Sequence, residues 1–253
     1  MIKVVLIGSG NVAQHLVEAF AKTKEIEVMQ VFSRRKETSI PLLDSNKITT
    51  DFNDLVKADI YIIAVSDDAI SKVSSQLPFT NRLVVHTSGS VPIDSLNNKN
   101  KKGIFYPLQT FTKGKEIDFS QIPICLESEN KTDFDVLEKV AQSISNTVFK
   151  SNEKQRKALH ISAVFVNNFV NEMYRIGNGI CEENKVPFEI LKPLILETVN
   201  KVMTLSPSAA QTGPAKRNDT QTIEAHLDFL SNENHTKIYK ILTQSIQNYG
   251  KEL

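Results

Sequence analysis

The stretch that decides the fold reads Lys3-Val4-Val5-Leu6-Ile7-Gly8-Ser9-Gly10-Asn11-Val12-Ala13. A short apolar run predicts a buried strand, and the periodic pattern after it predicts a helix. Between the two, Gly-x-Gly-x-x-Ala allows a tight turn, close approach of a pyrophosphate to the backbone and close helix–strand packing. The helix N-terminus offers free N–H groups to the phosphates. We therefore predict that Gly8, Ser9, Gly10, Asn11 and Val12 bind a dinucleotide; the alternative is a tight turn without a ligand.

The second strand candidate, Val28–Phe32, is followed by Ser33-Arg34-Arg35. An NAD site carries an acidic residue at this position, about 20 residues after the glycines, where it bonds a ribose hydroxyl. A serine hydroxyl and a guanidinium instead bind a 2′-phosphate through charge-assisted hydrogen bonds, whereas a carboxylate would repel it. The sequence thus predicts that Ser33, Arg34 and Arg35 select NADP(H) as the cofactor; a solvated basic loop is the alternative.

Short apolar runs alternate with helical patterns over the first 150 residues or so. This alternation predicts an α/β fold, a Rossmann-type doubly wound and mostly parallel sheet, as domain 1–150. Several runs are nearly continuous Ile and Val, which is typical of strands covered by helices on both faces. The further strand candidates are Ile60–Val65, Leu83–His86, Ile104–Tyr106, Ile122–Leu126 and Thr147–Phe149, and the helix candidates are Val12–Lys22, Asp68–Gln76 and Thr132–Ser143.

After Phe149 the pattern becomes entirely helical, so we predict an all-α domain over residues 151–253. A long helix is expected from Glu153 to Glu183, with one apolar side. Lys157, His160 and Asn168 fall on its opposite, polar side. Shorter helices are expected at Pro187–Leu205, Asp219–Leu230 and Asn234–Asn248, with Asn218 or Asp219 capping the second of these.

Composition excludes several classes of function. The chain has 253 residues, 40% of them hydrophobic and 23% charged, with a net charge of +1, so neither nucleic acid nor an anionic membrane is an expected partner. Its two cysteines, Cys125 and Cys181, fit neither a disulfide framework nor a metal-ligand spacing and are interpreted as buried apolar residues. With no leader pattern and no apolar run of about 20 residues, a cytoplasmic protein is expected.

Polar residues follow the predicted strands, at the edge where open α/β sheets bind ligands. Val65, Ser66 and Asp67 end the third strand and are expected near the nicotinamide-side ribose. His86 and Ser88 follow the next strand, where they would touch nicotinamide or substrate, although His86 is equally well explained as a structural histidine. The segment from Tyr106 to Phe111 is expected to line the same crevice.

Several stretches together resemble a known family. They are the glycine-rich start, Ala64-Val65-Ser66-Asp67, His86-Thr87-Ser88-Gly89, Tyr106-Pro107-Leu108-Gln109-Thr110-Phe111, Leu159–Phe165 with Asn168-Phe169, and Thr212-Gly213-Pro214-Ala215-Lys216-Arg217-Asn218-Asp219 with His226-Leu227. This pattern is similar to the NADP oxidoreductases that join a Rossmann-like domain to a helical domain of unassigned function. Those proteins resemble pyrroline-5-carboxylate reductase, ketopantoate reductase, the 6-phosphogluconate and β-hydroxyacid dehydrogenases, and deazaflavin-dependent NADP reductases. The resemblance implies a homodimer formed through the helical domain, with an active site between domains.

Hydride transfer to a carbonyl or imine also needs a proton donor, commonly Lys or His. Lys157, His160, Asn168 and Ser88 are the catalytic candidates, with the solvated side of an amphipathic helix as the alternative for Lys157. Hydroxyacid dehydrogenases place a lysine and an asparagine four residues apart on this helix, but here the residue four after Lys157 is Ile161. Arg217, with Thr212 in the preceding turn, could clamp a substrate carboxylate; a plain connecting loop is the alternative.

Three functions fit these patterns. The first is an NADP(H)-dependent oxidoreductase acting on a small carbonyl or imine, with a carboxylate on the substrate. The second is a non-catalytic NADP(H)-binding redox sensor, and the third is an NADPH-dependent flavin or deazaflavin reductase. Polar side chains on the helix that follows the sheet favour the first, because a sensor does not need them.

Overall fold

The computed structural model describes residues 1–35 and 39–249. The chain divides into two compact units, Met1–Val166 and Asn167–Leu253. The sequence predicted a division at residues 150 and 151 instead. The helix that follows residue 151 belongs with the first unit because Leu159 packs against Ile104, Tyr106 and Cys125 of that unit's sheet.

The first unit is built on a sheet that has eight strands within the described residues. The strands are β1 (Ile2–Ile7), β2 (Ile26–Phe32), β3 (Ile48–Thr49), β4 (Ile60–Ile63), β5 (Leu83–His86), β6 (Lys101–Pro107), β7 (Ile124–Ser128) and β8 (Val148–Lys150). Their order in the sheet is β3-β2-β1-β4-β5-β6-β7-β8. The seven neighbouring pairs are all parallel except β6 with β7, which confirms the predicted doubly wound, mostly parallel fold.

Helices cover both faces of this sheet. Alternate residues of β1 supply the two halves of the core: Val4 and Leu6 belong to one apolar cluster, and Val5 and Ile7 to the other. This alternation is the two-residue period of a strand buried on both faces. The helices of the unit are α1 (Asn11–Ala21), α2 (Ile70–Gln76), α3 (Lys131–Gln142) and α4 (Glu153–Ala163). Residues of α1 and α3 pack in the first cluster and residues of α2 in the second.

The register of the parallel strands brings several chain segments to one edge of the sheet. Ile7 pairs with Phe32 and with Ile63, and Ile63 pairs with His86. Each of these residues is the last of its strand. The segments that follow them, beginning at Gly8, Ser33, Ala64 and Thr87, therefore leave the sheet side by side.

The second unit is helical. Its helices are α5 (Val170–Glu183), α6 (Lys192–Thr204), α7 (Pro207–Ala210), α8 (Pro214–Arg217), α9 (Thr220–Phe229) and α10 (Glu233–Tyr249). A π-helical segment, Val164–Phe169, lies between α4 and α5. The long helix predicted from 153 to 183 is therefore not uniformly α-helical. The prediction of a helix capped near residue 219 is confirmed, because the Asp219 side chain accepts a hydrogen bond from the Thr222 N–H at 3.1 Å.

Few apolar side chains of the second unit are buried in the single chain. Of its described residues, only Ala215 and Ile223 belong to the buried apolar set. Many large apolar side chains are exposed instead, including Leu194, Leu196, Val199, Val202, Met203, Phe229, Ile241 and Leu242. Throughout the described ranges, none of the helices combines the length and apolar character that crossing a bilayer requires.

Candidate active site at the carboxyl edge of the sheet

The glycine-rich turn has the geometry that a dinucleotide needs. Gly8 has φ +122°, and a Cβ on it would stand 2.1 Å from the backbone oxygen of Ala64, so no other residue fits there. A Cβ on Gly10 would meet nothing within 4 Å. The first glycine thus lets β1 and β4 run close together, and the second leaves open space in front of the helix.

The α1 N-terminus faces this open space with unused backbone donors. Among the described side chains, none caps the helix, so the first N–H groups of α1 remain available to an anion. The Asn11 side chain does not compete, because its amide donates to the Phe111 carbonyl at 2.9 Å. The ring nitrogens of His15 lie 2.7 Å from the Asn11 carbonyl oxygen and 3.0 Å from that of Lys115. The hydrogen bonds to the carbonyls of Phe111 and Lys115 therefore hold residues 111–115 beside the glycine-rich turn.

Ser33 lies directly against the same turn. Its hydroxyl is 3.0 Å from the Ser9 hydroxyl, and its N–H donates to the Thr49 carbonyl of β3 at 2.9 Å. Ser33 is buried, whereas Arg34 and Arg35 are exposed. The Arg35 N–H also donates to the Ser33 hydroxyl at 3.2 Å. The structure therefore places two hydroxyls next to the glycines, with two guanidinium groups on the adjoining surface.

A hydrogen-bonded loop follows β5, and it is joined to the end of β4. The Ser88 hydroxyl accepts from the N–H groups of Ser90 and Val91, both at 3.1 Å. The Ser90 hydroxyl donates to the Asp67 carboxylate at 2.6 Å. Ser66 precedes Asp67, and its carbonyl accepts from the Ala69 N–H at 2.9 Å. Val65 packs against the glycine-rich turn, with a methyl carbon 3.1 Å from the position that a Cβ on Gly8 would take. Ser88 thus shapes the loop, and Asp67 fixes it to β4.

His86 lies beneath this loop with both ring nitrogens engaged. Its Nδ1 accepts the Ser88 N–H at 3.1 Å, so Nε2 carries the proton and donates to the Pro92 carbonyl at 3.4 Å. The side chain is fully buried. Burial lowers the pKa of His86 to about 4, and the bond to Pro92 opposes this only in part. These contacts favour the structural role that the sequence left open for His86.

A tyrosine and a histidine meet at the end of β6. The Tyr106 hydroxyl lies 3.2 Å from His160 Nδ1 on α4. Burial, together with the charges of Cys125 and Asp67, raises the pKa of Tyr106 to about 12. The pair fills the space beside Gly89, where a Cβ would stand 2.6 Å from Tyr106 Cζ and 2.8 Å from His160 Nδ1. Gly89, Tyr106 and His160 therefore form one packed cluster within the first unit.

The start of α4 is anchored by a buried arginine. Arg156 is fully buried, pairs with Glu127 through Nη1, and donates from Nη2 to the Val91 carbonyl at 2.8 Å. It ties α4 both to β7 and to the loop after β5. Because His160 is one helical turn further along α4, this anchor helps to fix the histidine beside the strand ends.

The other predicted catalytic residues have different surroundings. Lys157 is half-exposed, and its ammonium pairs with Glu153 at 2.6 Å, which favours the solvated-face alternative. Asn168 is exposed within the π-helical segment. The helical wheel that grouped it with Lys157 and His160 assumed 3.6 residues in every turn, an assumption that a π-helix breaks.

The predicted carboxylate clamp lies in the helical unit. Gly213 has φ +106° and precedes α8, which carries Arg217 in its last turn. Asn218 then adopts a left-handed conformation, and Asp219 caps α9. Thr212 and Arg217 are both at least partly accessible. The role of Thr212 and Arg217 in binding a carboxylate stays a prediction.

The sequence predicted that the segment from Tyr106 to Phe111 lines the crevice, but it gave neither Tyr106 nor Gly89 a role of its own. The available signals were an aromatic residue with a polar tip at a strand end and a glycine inside a polar loop. Neither signal is specific. The Tyr106–His160 contact joins residues 54 positions apart in the chain, so no local pattern indicates it. Within the described residues, no group of His, Cys, Asp and Glu side chains could hold a metal ion.

The fold and the site define a class: enzymes that use a dinucleotide bound at the carboxyl edge of a Rossmann-type sheet. Family models agree with this class. Residues 3–89 match the model described as NADP oxidoreductase, coenzyme F420-dependent, and residues 122–246 match a domain of unknown function, DUF2520. A comparison with curated protein sequences finds no match.

Solved structures show how far the similarity extends. A protein of Bacteroides fragilis described as an NADP oxidoreductase is 36% identical, with a TM-score of 0.87 over 98% of both chains. A protein of Thermotoga maritima is 18% identical, with a TM-score of 0.76 over 98% of both chains. The pyrroline carboxylate reductase of Plasmodium falciparum, solved with NADP bound, is 16% identical, with a TM-score of 0.59 over 97% of this chain and 98% of its own. The last two show a shared fold.

The chain belongs to the family of NADP oxidoreductases that join this nucleotide-binding domain to the DUF2520 domain. The resemblance predicted from the sequence is therefore confirmed. The protein is an NAD(P)-dependent oxidoreductase.

Proposed function

We propose that the protein is an NADP(H)-dependent reductase of small carbonyl or imine compounds that carry a carboxylate. The observation that carries this proposal is the juxtaposition of two features at one sheet edge. The glycine-rich turn with Ser33 lies beside β1, and the polar cluster of Asp67, Ser90, Tyr106 and His160 lies at the ends of β4 to β6. Cofactor binding and proton transfer would thus be served by neighbouring strands.

Each part of the cofactor has residues that fit it. The pyrophosphate would be held by the backbone of Gly8, Ser9 and Gly10 and by the first N–H groups of α1. The 2′-phosphate would be held by Ser33, Arg34 and Arg35. The dihydronicotinamide supplies a hydride when bound. The substrate carboxylate is assigned to Thr212 and Arg217, a prediction from the sequence that fits the donor geometry of a guanidinium.

Selection of NADP(H) over NAD(H) can be tested through Ser33 and Arg34. The double variant Ser33→Asp/Arg34→Ala replaces a donor and a cation by a carboxylate, so NADPH should dissociate at least about 10-fold more readily, which is about 1.4 kcal/mol. NADH affinity should be unchanged or better. Nucleotide fluorescence titrations would measure both dissociation constants.

Arg82→Ala supplies the matched control for this experiment. Arg82 immediately precedes β5, at the edge of the sheet opposite to the glycine-rich turn, so its removal should leave both affinities unchanged. Equal affinity of the wild-type protein for NADPH and NADH, or unaltered NADPH affinity in the double variant, would refute the assignment.

Turnover tests the substrate class. NADPH oxidation would be followed by absorbance with 1-pyrroline-5-carboxylate, simple 2-oxo acids and matched probes that lack the carboxylate. We expect reduction of at least one carboxylate-bearing imine or carbonyl and a higher KM for its uncharged analogue. Tight NADPH binding without reduction of any of these compounds would contradict the proposal.

The family model supports a second candidate, reduction of a deazaflavin by NADPH. The model that matches residues 3–89 is described as coenzyme F420-dependent. An absorbance assay with NADPH and a deazaflavin or flavin separates the candidates, because the second predicts bleaching of the flavin band without any imine or carbonyl.

We also propose that two copies of the chain associate through their helical units. The support is the shortage of buried apolar side chains in that unit and the exposure of α6 on several sides. Leu194 and Leu196 are separated by about 200° around the helix axis, yet they are 63% and 61% exposed. Large apolar side chains that are exposed together on one helix mark a surface that another molecule covers. A second copy supplies an equally apolar surface of the same shape. The cytoplasmic location expected from the sequence stays a prediction.

A further inference from the structure

We infer that His160 is the proton donor of the reaction and that Tyr106, held beside Gly89, is the residue that positions it. This inference rests on the proposed reductase function and names the acid that the function requires. Of the candidates from the sequence, Lys157 is paired with Glu153 at the helix surface and Ser88 is occupied by two backbone N–H groups. His160 is the candidate whose imidazole lies against the strand ends.

The position of His160 is determined by contacts from two strand ends. Tyr106 reaches Nδ1 from β6, and the Gly89 backbone leaves the space that both rings use. The two rings meet edge-on, with centroids 6.1 Å apart. Leu159, the preceding residue of α4, packs in the apolar cluster under Tyr106. With Nδ1 directed at the hydroxyl, Nε2 is the ring nitrogen left to act on a ligand.

The chemistry of the pair assigns the acid to the histidine. Burial keeps Tyr106 a neutral phenol, with its pKa raised to about 12, so it does not release a net proton near neutral pH. A phenol hydroxyl both donates and accepts hydrogen bonds. Tyr106 can therefore accept from a protonated His160 and donate to one protonated only at Nε2. The ring stays in place through a cycle of proton loss and recovery.

The charged and titratable groups around the pair are few within the described residues. From β7, Cys125 adjoins Tyr106, and burial raises the pKa of its thiol. From the end of β4, Asp67 acts on Tyr106 and is itself bonded to Ser90. On α4, Arg156 is paired with Glu127. The remaining charge on that helix turn is the Lys157–Glu153 pair.

The proton balance of the step is simple. Reduction of a C=N bond adds a hydride to carbon, and the π pair of that bond becomes the N–H bond pair on nitrogen. The proton for this bond leaves Nε2 of the His160 imidazolium, which becomes neutral imidazole. Solvent then returns one proton to Nε2. For a carbonyl substrate, the oxygen takes the place of the nitrogen.

Variants of the two residues test the inference. His160→Gln should lower kcat about 100-fold or more for the best imine or carbonyl probe of the turnover assay, since general acids contribute at least this much. Tyr106→Phe should lower kcat about 10-fold with little change in KM. The pH profile of kcat should differ between the wild-type protein and His160→Gln, because only the wild-type protein has the proposed proton donor.

Two further readouts distinguish catalysis from folding and from cofactor binding. NADPH affinity, measured by fluorescence, should be unchanged in both variants. Nitrogen NMR of histidine-labelled protein should show altered His160 ring shifts in Tyr106→Phe, because Nδ1 loses its partner. His235→Gln and Tyr174→Phe are matched controls in the helical unit and should keep wild-type kcat.

These experiments distinguish failure of the His160 inference from failure of the proposed reductase function. If the wild-type protein reduces a probe and His160→Gln keeps at least half of its kcat, the inference fails and the reductase function stands. If His160 ring shifts are the same in Tyr106→Phe, the positioning role of Tyr106 fails. If the wild-type protein binds NADPH but reduces no probe, the proposed function fails and this inference fails with it.

Discussion

His86 is a buried histidine whose ring nitrogens both bond to the chain that it supports. The Ser88 N–H and the Pro92 carbonyl lie at opposite ends of the loop that carries Gly89 and Ser90. A neutral imidazole satisfies one donor and one acceptor at the same time. A protonated ring could not accept the Ser88 N–H. The loop beside the proposed acid therefore depends on His86 staying neutral.

This dependence predicts an acid sensitivity of stability. The folded-state pKa of His86, about 4, lies below the value of 6.5 for an unperturbed histidine, so the unfolded chain binds the proton more readily. The contribution of His86 is complete above about pH 6.5 and is lost as pH falls from there towards 4. It amounts to about 3 kcal/mol at most.

His86→Asn removes the titrating ring and keeps an acceptor near the Ser88 N–H. Urea unfolding at pH 7.5 and pH 5 should therefore show a smaller loss of unfolding free energy on acidification in this variant than in the wild-type protein. His235→Asn, in the helical unit, should lose as much as wild type. An identical pH dependence in His86→Asn and wild type would contradict the prediction.

At the scale of elements, the sequence predicted the strands, turns and helices whose formation depends on residues close together in the chain. The strand, turn and helix around Gly8 follow from a short apolar run and the spacing of two glycines, and the structure agrees. The edge strand β3 was not predicted, because its two residues carry no periodic signal. The π-helical segment at Val164–Phe169 was missed because its sequence keeps an ordinary helical pattern. The Tyr106–His160 contact depends on tertiary packing alone.

Arg156 shows how α4 is held in position. Its guanidinium is fully buried between Glu127 of β7 and the Val91 carbonyl, and Nε has no hydrogen-bond partner. A buried ion pair is costly to break, because removal of one partner leaves a desolvated charge. The packing of α4, and with it the position of His160, is therefore sensitive to Glu127.

Glu127→Ala should destabilise the protein by about 3 kcal/mol, since it leaves the Arg156 charge buried and unpaired. Arg156→Met/Glu127→Leu should recover most of this loss, because apolar side chains of similar volume need no counter-charge. Urea unfolding curves would measure both. Glu153→Ala removes the exposed partner of Lys157 and should cost no more than about 1 kcal/mol. A cost for Glu127→Ala as small as that of Glu153→Ala would show that the buried pair does not hold α4.

At the scale of the whole molecule, the two units differ in how their apolar residues are buried. The first unit has two extensive apolar clusters, one on each face of its sheet. The described part of the second unit has only Ala215 and Ile223 in the buried apolar set. Each large apolar side chain that becomes buried contributes about 1.5–3 kcal/mol. Association of two helical units would supply the burial that the single chain lacks.

The proposed dimer predicts a mass twice that of the chain, which is 28.4 kDa. Light scattering at tens of micromolar protein should give this mass for wild type. Leu196→Asp/Met203→Asp places two carboxylates on α6, where the side chains are 61% and 79% exposed, and should yield monomers with a lower Tm because each unit loses its partner. Leu42→Asp is the matched control, since Leu42 is 72% exposed in the first unit, and it should remain dimeric. A monomeric wild-type protein, or an α6 variant that keeps the wild-type mass and Tm, would exclude the helical surface as the interface.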